Sequence, residues 1–569
     1  MTTFEKRWVA HYDRGVARTI GEYPDRTLLD HLADAARDTP DGPALWFKGR
    51  TVTWADLHAA AHATACALTA MGIRRGDRVA LVLPNCPQFM VAELGAWMIG
   101  AVVCPLNPIY TEEELGDRIR SLSPRVVITL NPFYDRVANA RAGSSVERVI
   151  ATNIKEYFPA PLRLAFTLLM ERKLGHRATL RAGDLEWGAW LAPFKGRRCE
   201  AAPAGPEDEA LILLSGGTTG TPKGVQVWHR GMVYTGRQFV EWLGDGLRGV
   251  TGGIMLPLPL FHSYGALVAQ SIALMGRYRL TLVPNPRDLD DLVRTLQRVR
   301  PNMFAGVPTL YNALLNHRLV KAGKVDFTCL TVAASGAAPL MAETRRRFEE
   351  LSKISIVEAY SLTEALVAGV ANPMNGERKP GSVGIPLPDV TIAVVDVDDA
   401  ARELPGGEVG EILIHGPQIM RSYFNDPAET ENILVQRSDG RTWLRTGDLG
   451  YIDEDGYLFI VDRKKDLIKA SGMQVWPREL EEVLAKHPAV AEVGVRGFAD
   501  AAKGEIAVAF VVLRQGLDAT EQELREYCKQ HLAFFKVPAR VVFRRELPKS
   551  MIGKVLRRML TLEDPGAPA

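Results

Sequence analysis

The sequence predicts an α/β fold: a large N-terminal domain of α/β subdomains that includes a β-rich subdomain, followed by a small α+β C-terminal domain. Three observations carry this. Helical and strand patterns alternate through the first two-thirds of the chain. From about residue 380 to 461 the pattern changes to short strands and turns, and the last stretch of about 100 residues follows a βαβ-like order of its own. At 569 residues, with 47% hydrophobic and 24% charged side chains, the chain is globular and too long for a single core.

The segment "TWADLHAAAHATACALTAMG" opens with Thr53 and Asp56 at capping-box spacing and ends at Gly72, and "RVALVLPN" after it reads as a buried strand. The same rhythm recurs in "PQFMVAELGAWMIG" with "AVVCPLN", and again in "PRVVITL", which implies parallel strands joined by crossover helices. In the β-rich part, "GSVGIPLPDVTIAVVDVDD", "GEVGEILIHG" and "GYIDEDGYLFIVD" supply strands, with Asp455-Gly456 as a hairpin signal. Beyond "DRKKD", the helix "PRELEEVLAKHP" has Pro477 in its first turn and sets Leu480, Val483 and Leu484 on one face. Strands "AVAEVGVRGF" and "GEIAVAFVVLR", a helix capped by Thr520 and Glu523, and the strand "ARVVFRREL" complete the unit; the tail "EDPGAPA" is expected to fray.

Composition excludes several classes. The net charge is +2 and Lys/Arg are spread along the chain, so no electrostatic footprint for nucleic acid stands out. The six cysteines, Cys66, Cys86, Cys104, Cys199, Cys329 and Cys528, lack CxxC spacing, which argues against zinc and against a disulfide framework. The N-terminus has no signal-peptide core and no run reaches about 18 apolar residues, so a cytoplasmic location is expected. The segment "APLRLAFTLLMERKLGHRATLRAG" is read first as an apolar helix packed on the body with its basic end in water; the alternative is a peripheral contact, through about 158–180, with the inner face of the membrane. Oligomeric state is open, a homodimer included.

The chemistry begins in "LILLSGGTTGTPKGV". A strand running into Gly216, Gly217, Thr218, Thr219, Gly220 and Thr221 makes a loop whose N–H groups can turn inward, because glycine brings no Cβ to block close approach. Such a loop suits phosphate, with Lys223 as a point charge and the threonines as donors. It is not a Walker A loop, since Thr221-Pro222 separates Gly220 from Lys223. By itself it could also be an ordinary flexible turn.

The whole string, Ser215-Gly216-Gly217-Thr218-Thr219-Gly220 with Lys223, resembles the phosphate-binding signature of the adenylate-forming superfamily, and its second-position glycine resembles the long-chain fatty-acid CoA ligase branch. Further motifs stand in family order from about Thr51 to Arg558. "YSLTEA" is similar to the family's Tyr-Gly-x-Thr-Glu, with Ser361 in place of glycine; this implies Tyr360 against adenine, Thr363 at the α-phosphate and Glu364, with Thr218, toward Mg²⁺. "AASGAAPL" resembles the adenine-side loop, giving Ser335, Gly336 and Ala337. In "RTGDLGYIDEDGYLFIVDRKKDLIKASGMQVWPREL" the resemblance implies Asp448 on the ribose hydroxyls, Arg463 on ribose or phosphates, and Lys465 at a hinge (462–466) between residues 1–461 and a mobile small domain, 467–569. It also implies CoA beside Lys469, Ser471 and Gly472. In "LPKSMIGKVLRR", Lys554 matches the lysine that reaches the substrate carboxylate and α-phosphate, where the plainer reading is a basic residue on a solvated helix face with Arg557 and Arg558.

The resemblance therefore implies ATP as substrate and Mg²⁺ as cofactor, with Lys554, Thr218, Glu364 and Lys465 serving catalysis and CoA as acceptor of an acyl group. "MLPLPLFHSYGALVAQ" and "FAGVPTLYNALLNH" resemble acyl-pocket segments, with His262, Val307 and Ser335 as pocket residues. A fatty acid of medium to long chain is expected. Loading of a carrier protein from the acyl-adenylate, an aryl acid as substrate, and a non-catalytic lipid-binding protein are the alternatives.

Overall fold

The computed structural model describes residues 7–215, 222–247, 249, 251–470, 473–500, 504–549 and 553–562, and the counts that follow are of these residues. Gly216, Gly217, Thr218, Thr219, Gly220 and Thr221 of the Gly/Thr loop, Ser471, Gly472 and the tail lie outside them.

Four sheets organise the chain. The first has seven strands in the order Leu185–Glu186, Arg148–Thr152, Val126–Leu130, Arg78–Val82, Val102–Pro105, Glu209–Leu214 and Gly224–Trp228; all pairs are parallel except the last. The second has nine, and six neighbours within it run parallel: Ile356–Tyr360, Val332–Ser335, Met303–Gly306, Ile254–Leu256, Leu280–Leu282 and Pro43–Phe47. An antiparallel five-stranded sheet follows, formed by Thr391–Val395, Gly410–His415, Leu434–Gln436, Thr442–Ile452 and Leu458–Arg463. The last sheet, also of five strands, runs from Ile468–Ala470 to Arg540–Phe543. The molecule is thus mixed α/β, with a large N-terminal and a smaller C-terminal domain.

Local sequence explains the helices. Trp54–Ala70 starts with the expected reciprocal bonds between Thr53 and Asp56, and Glu521–His531 does the same with Thr520 and Glu523. Helix Pro87–Trp97 is buried along all eleven residues; most are apolar, and the polar Gln88 and Glu93 are hydrogen-bonded to Thr152 and Gln270. It approaches Trp54–Ala70 so closely that a Cβ on Gly95 would stand 2.6 Å from the Thr64 Cβ, so only glycine fits there. Trp97 is fully buried and donates its indole N–H to the Ala210 carbonyl at 2.9 Å; each large side chain buried this way contributes about 1.5–3 kcal/mol.

A buried side chain couples the two parallel sheets. Asn85, just past strand Arg78–Val82, donates to the carbonyls of Leu256 (3.1 Å) and Leu258 (2.7 Å) and accepts from the Leu260 N–H at 2.8 Å. It fixes the segment that leads to His262. Strands in both sheets present their carboxyl ends to this region, the place where open α/β sheets bind ligands.

One expectation is corrected. Helix Ala160–Leu169 touches the body through Phe166 but not through its leucines: none of its ten residues is fully buried, and Leu164, Leu168 and Leu169 are exposed. The polar ties of the segment, from Lys155 to Thr167 and to Glu171, hold its other side and leave the leucines outward. Among the described residues no helix is long and apolar enough to cross a membrane, and all six cysteines are free.

Candidate active site

Asp448 lies in the long strand Thr442–Ile452, in register with Arg463 on Leu458–Arg463. Cross-strand pairing therefore sets the guanidinium beside the carboxylate, with Arg463 Nε 2.9 Å from Asp448 Oδ1. From the second sheet, Tyr360 ends its strand and donates its hydroxyl to Asp448 Oδ2 at 2.8 Å. Burial, then the Asp448 charge, pushes the Tyr360 phenol well up, so it stays a neutral donor. A carboxylate has about four acceptor sites, so Asp448 retains capacity for two sugar hydroxyls beyond these two bonds.

Lys554 comes from the last segment of the small domain to the same place. It is in no helix, which removes the solvated-helix reading; Val555 instead bridges to Lys549. The Lys554 side chain is exposed, although protein atoms crowd its ammonium. Burial and the Arg463 cation push its ammonium down to about 8, against the opposing pull of Asp448. Next to it, Gly553 adopts φ +75°, and a Cβ there would stand 2.0 Å from Thr309 Oγ1. The small domain thus touches the start of helix Pro308–Asn316, one residue past Val307.

The second cluster surrounds Glu364. This buried carboxylate accepts the Tyr423 hydroxyl at 2.7 Å, and its peptide carbonyl accepts the Met420 N–H at 2.9 Å. Tyr423 also lies under the Lys223 ammonium, 5.3 Å from the ring centroid, while Lys223 forms an ion pair with Glu429. Ser215 donates its N–H to the Lys223 carbonyl at 2.8 Å, which closes the base of the Gly/Thr loop. Past Glu364 the chain turns through Leu366 (φ +46°) and Val367 (φ +64°), a left-handed pair that is costly for a β-branched residue. Bonds from Thr235 to the Leu366 carbonyl (3.0 Å) and from Gln418 to that of Ala368 (2.7 Å) hold the turn.

The two clusters meet through Thr363, whose hydroxyl shares a 2.9 Å hydrogen bond with Ser263, the neighbour of His262. His262 Nδ1 accepts the Tyr264 N–H at 3.3 Å, and burial pushes the imidazole down to about 4, so the ring is neutral near pH 7. Gly336 sits against the Tyr264 ring, where an added Cβ would be 3.3 Å from Cε1, and Ala337 follows in the left-handed region at φ +68°. Ser335 pairs with Gly306 across parallel strands, which brings it beside Val307. The hydroxyls of Ser335 and Ser361 are buried without a partner among the described residues.

The structure thus gathers Tyr360, Asp448, Arg463 and Lys554 in one group. Glu364, Tyr423 and Lys223 form another, and Thr363, His262, Val307, Ser335 and Gly336 lie along the strand ends between them. Lys465 borders the first group; it keeps solvent access, while burial and then Arg463 lower its basicity. Lys469 is exposed on strand Ile468–Ala470 and, among the described residues, joins neither group by a side-chain bond, its N–H donating to Glu505 at 2.7 Å. Sequence reasoning missed Asn85, Tyr423 and Glu429, none of which carries a spacing signal. It also missed the junction where Arg557 bonds Asp462 at 2.7 Å, Asp466 at 3.1 Å and Glu481 at 2.6 Å.

Among the described residues no three His, Cys, Asp or Glu side chains could hold a metal together. Glu364 alone fits Mg²⁺, which keeps most of its shell for water and phosphate and takes one or two protein carboxylates. Only one oxygen of Glu364 carries the Tyr423 bond.

Residues 32–424 match the family model described as AMP-binding enzyme, and residues 479–554 match that of the AMP-binding enzyme C-terminal domain. The chain is 35% identical over 561 residues to a long-chain-fatty-acid–CoA ligase of Bacillus subtilis (strain 168), covering 98% of each. Among solved structures it resembles ATP-bound MatB from Rhodopseudomonas palustris, with TM-score 0.78, 30% identity, and 94% of this chain and 97% of that one covered. It also resembles the o-succinylbenzoate CoA synthetase of Bacillus subtilis in complex with its acyl-adenylate intermediate, with TM-score 0.75, 25% identity and coverage of 95% and 99%.

Proposed function

Because the chain belongs to the family of AMP-binding enzymes, we propose that it joins a fatty acid of medium to long chain to CoA, in two steps that share one site. The observation that carries the reading is the convergence of Lys554 from the small domain with Asp448, Arg463 and Tyr360 from the large one.

In the first step the fatty acid's carboxylate oxygen attacks the α-phosphorus of ATP, the bond to the β-phosphate bridging oxygen breaks, and pyrophosphate leaves. Anion approaches anion, so the site's task is to neutralise and align rather than to supply a nucleophile. Asp448 holds the ribose and Tyr360 the adenine side. Lys554 and Arg463 face the carboxylate and phosphates. Lys223 and the Gly/Thr loop, Ser215 to Gly220, take the β- and γ-phosphates. Glu364, with Thr218, would hold Mg²⁺, which would supply neutralisation of the phosphate charge. His262 is uncharged, so with Val307 and Ser335 it can line an acyl channel without the cost of burying an ion.

In the second step the CoA thiolate attacks the acyl carbon of the mixed anhydride and AMP departs. On this reading residues 462–466 are the hinge between a large domain, 1–461, and a small one, 467–569. Rotation at Lys465 withdraws Lys554 and brings Lys469, Ser471 and Gly472 to the pantetheine path.

The test is isotope exchange between pyrophosphate and ATP with palmitate and Mg²⁺ and without CoA. Exchange that requires the fatty acid and is lost in Lys554→Ala is expected. Exchange that is indifferent to the acid, or unchanged in the variant, would remove the reading.

A further inference from the structure

Helix Ala160–Leu169 presents an exposed face that the chemistry above does not use. Pro161, Leu164, Ala165, Leu168 and Leu169 recur at i, i+3, i+4, i+7 and i+8, the pattern of a core-facing helix stripe, yet all are exposed. Leu164 is 62% exposed, and Leu168 and Leu169 are each 73% exposed. Met170 and Leu174 extend the apolar patch. Its inward side is Phe166 and Thr167: the Phe166 ring meets Phe158 at 5.4 Å and His176 at 5.2 Å, and Thr167 accepts from Lys155 at 3.1 Å. The helix is thus anchored by one edge, with a leucine ridge turned to solvent.

Charge around the ridge is one-sided. Residues 158–180 carry Arg163, Arg172, Lys173 and Arg177 against a single acid, Glu171. That acid is buried and held inward by Lys155 at 2.5 Å and Asn153 at 2.8 Å, with Arg177 at 3.6 Å. Arg172 and Lys173 are exposed and form no ion pair among the described residues. An apolar ridge rimmed by cations matches a surface with an apolar interior and an anionic skin.

We propose that this helix lies in the interface of a bilayer carrying anionic lipids, with Leu164, Leu168 and Leu169 among the acyl chains and Arg172 and Lys173 on the headgroups. The docking rests on the fatty-acid reading only for its purpose, since a membrane-held enzyme collects its acid where that acid partitions.

The test is flotation of the full chain with phosphatidylcholine vesicles, with and without phosphatidylglycerol. The protein is expected to float with the anionic vesicles at low salt. Leu164→Glu/Leu168→Glu is expected to lower the bound fraction at least about tenfold, and Arg172→Glu/Lys173→Glu to abolish the preference for phosphatidylglycerol. All forms should turn over soluble octanoate equally, which shows that the variants fold. Failure of wild type to float, or equal flotation of the leucine variant, overturns the proposal. So does a dimer in solution that the leucine variant splits, because the ridge would then face a second copy. Flotation is independent of turnover, so an inactive protein that floats sinks only the catalytic reading.

Discussion

In the proposed reaction Lys554 has to be an ammonium when it meets two anions, and its surroundings bring it close to losing that charge. Burial and Arg463 set it at about 8 in the ligand-free protein, so the competent cation dominates below about pH 8 and is lost above it. In pyrophosphate exchange, kcat/KM for ATP is expected to fall as pH rises through about 8, while Lys554→Arg, charged throughout, shows no alkaline limb. Lys554→Ala should lower adenylation by about 10²–10³-fold, the scale for one preorganised electrostatic group. Asp448→Asn removes the charge opposite Arg463 and, in the proposed complex, one of the two oxygens that accept from the ribose. Hydrogen bonds to charged groups contribute about 1.5–3 kcal/mol, so KM for ATP should rise by about 10–100-fold, read from initial rates. Lys554, Asp448 and Glu364 stand in recognisable strings, which is what singled them out in the sequence. Tyr423 and Glu429 do not, because what selects them is a contact across the fold: Tyr423 reaches Glu364 from 59 residues away.

Among the elements, the segment that delivers Lys554 is specified by shape. Gly553 is left-handed and leaves no room for a Cβ beside Thr309. Gly553→Ala is therefore expected to slow adenylation by at least about tenfold, an effect of shape that Thr309→Ala should partly reverse in a double-mutant cycle. Lack of any coupling between the two sites would show that the loop does not seat against Thr309 during adenylation. Elements whose signals are local were legible in the sequence: the Thr53/Asp56 and Thr520/Glu523 boxes start their helices as expected. Sheet order was not, since strand Pro43–Phe47 pairs with Leu280–Leu282 from more than two hundred residues away. Helix Ala160–Leu169 had the periodicity of a packed helix; periodicity reports which residues share a face and is silent on what that face meets.

For the whole molecule, what matters is the junction between the domains. Asp462 is buried and receives Arg557 at 2.7 Å and the Arg478 N–H at 2.7 Å, while Arg557 also grips Glu481. Arg557→Ala leaves these carboxylates without their main counter-ion and should cost about 3 kcal/mol, seen as a lower midpoint in thermal unfolding. If residues 462–466 are the proposed hinge, Lys465→Pro is expected to spare adenylation while slowing thioester formation, because on that reading only the second step needs the rotation. The measurement that bears most directly on the account follows both products together. The protein is incubated with ATP, Mg²⁺ and acids from acetate through palmitate and oleate to cinnamate-type acids, with and without CoA, and acyl-adenylate and acyl-CoA are quantified by mass spectrometry. The expected result is acyl-CoA from medium- to long-chain fatty acids whenever CoA is present, with acyl-adenylate only transient. Acyl-adenylate that accumulates and ignores CoA, or no product from any acid, would contradict it.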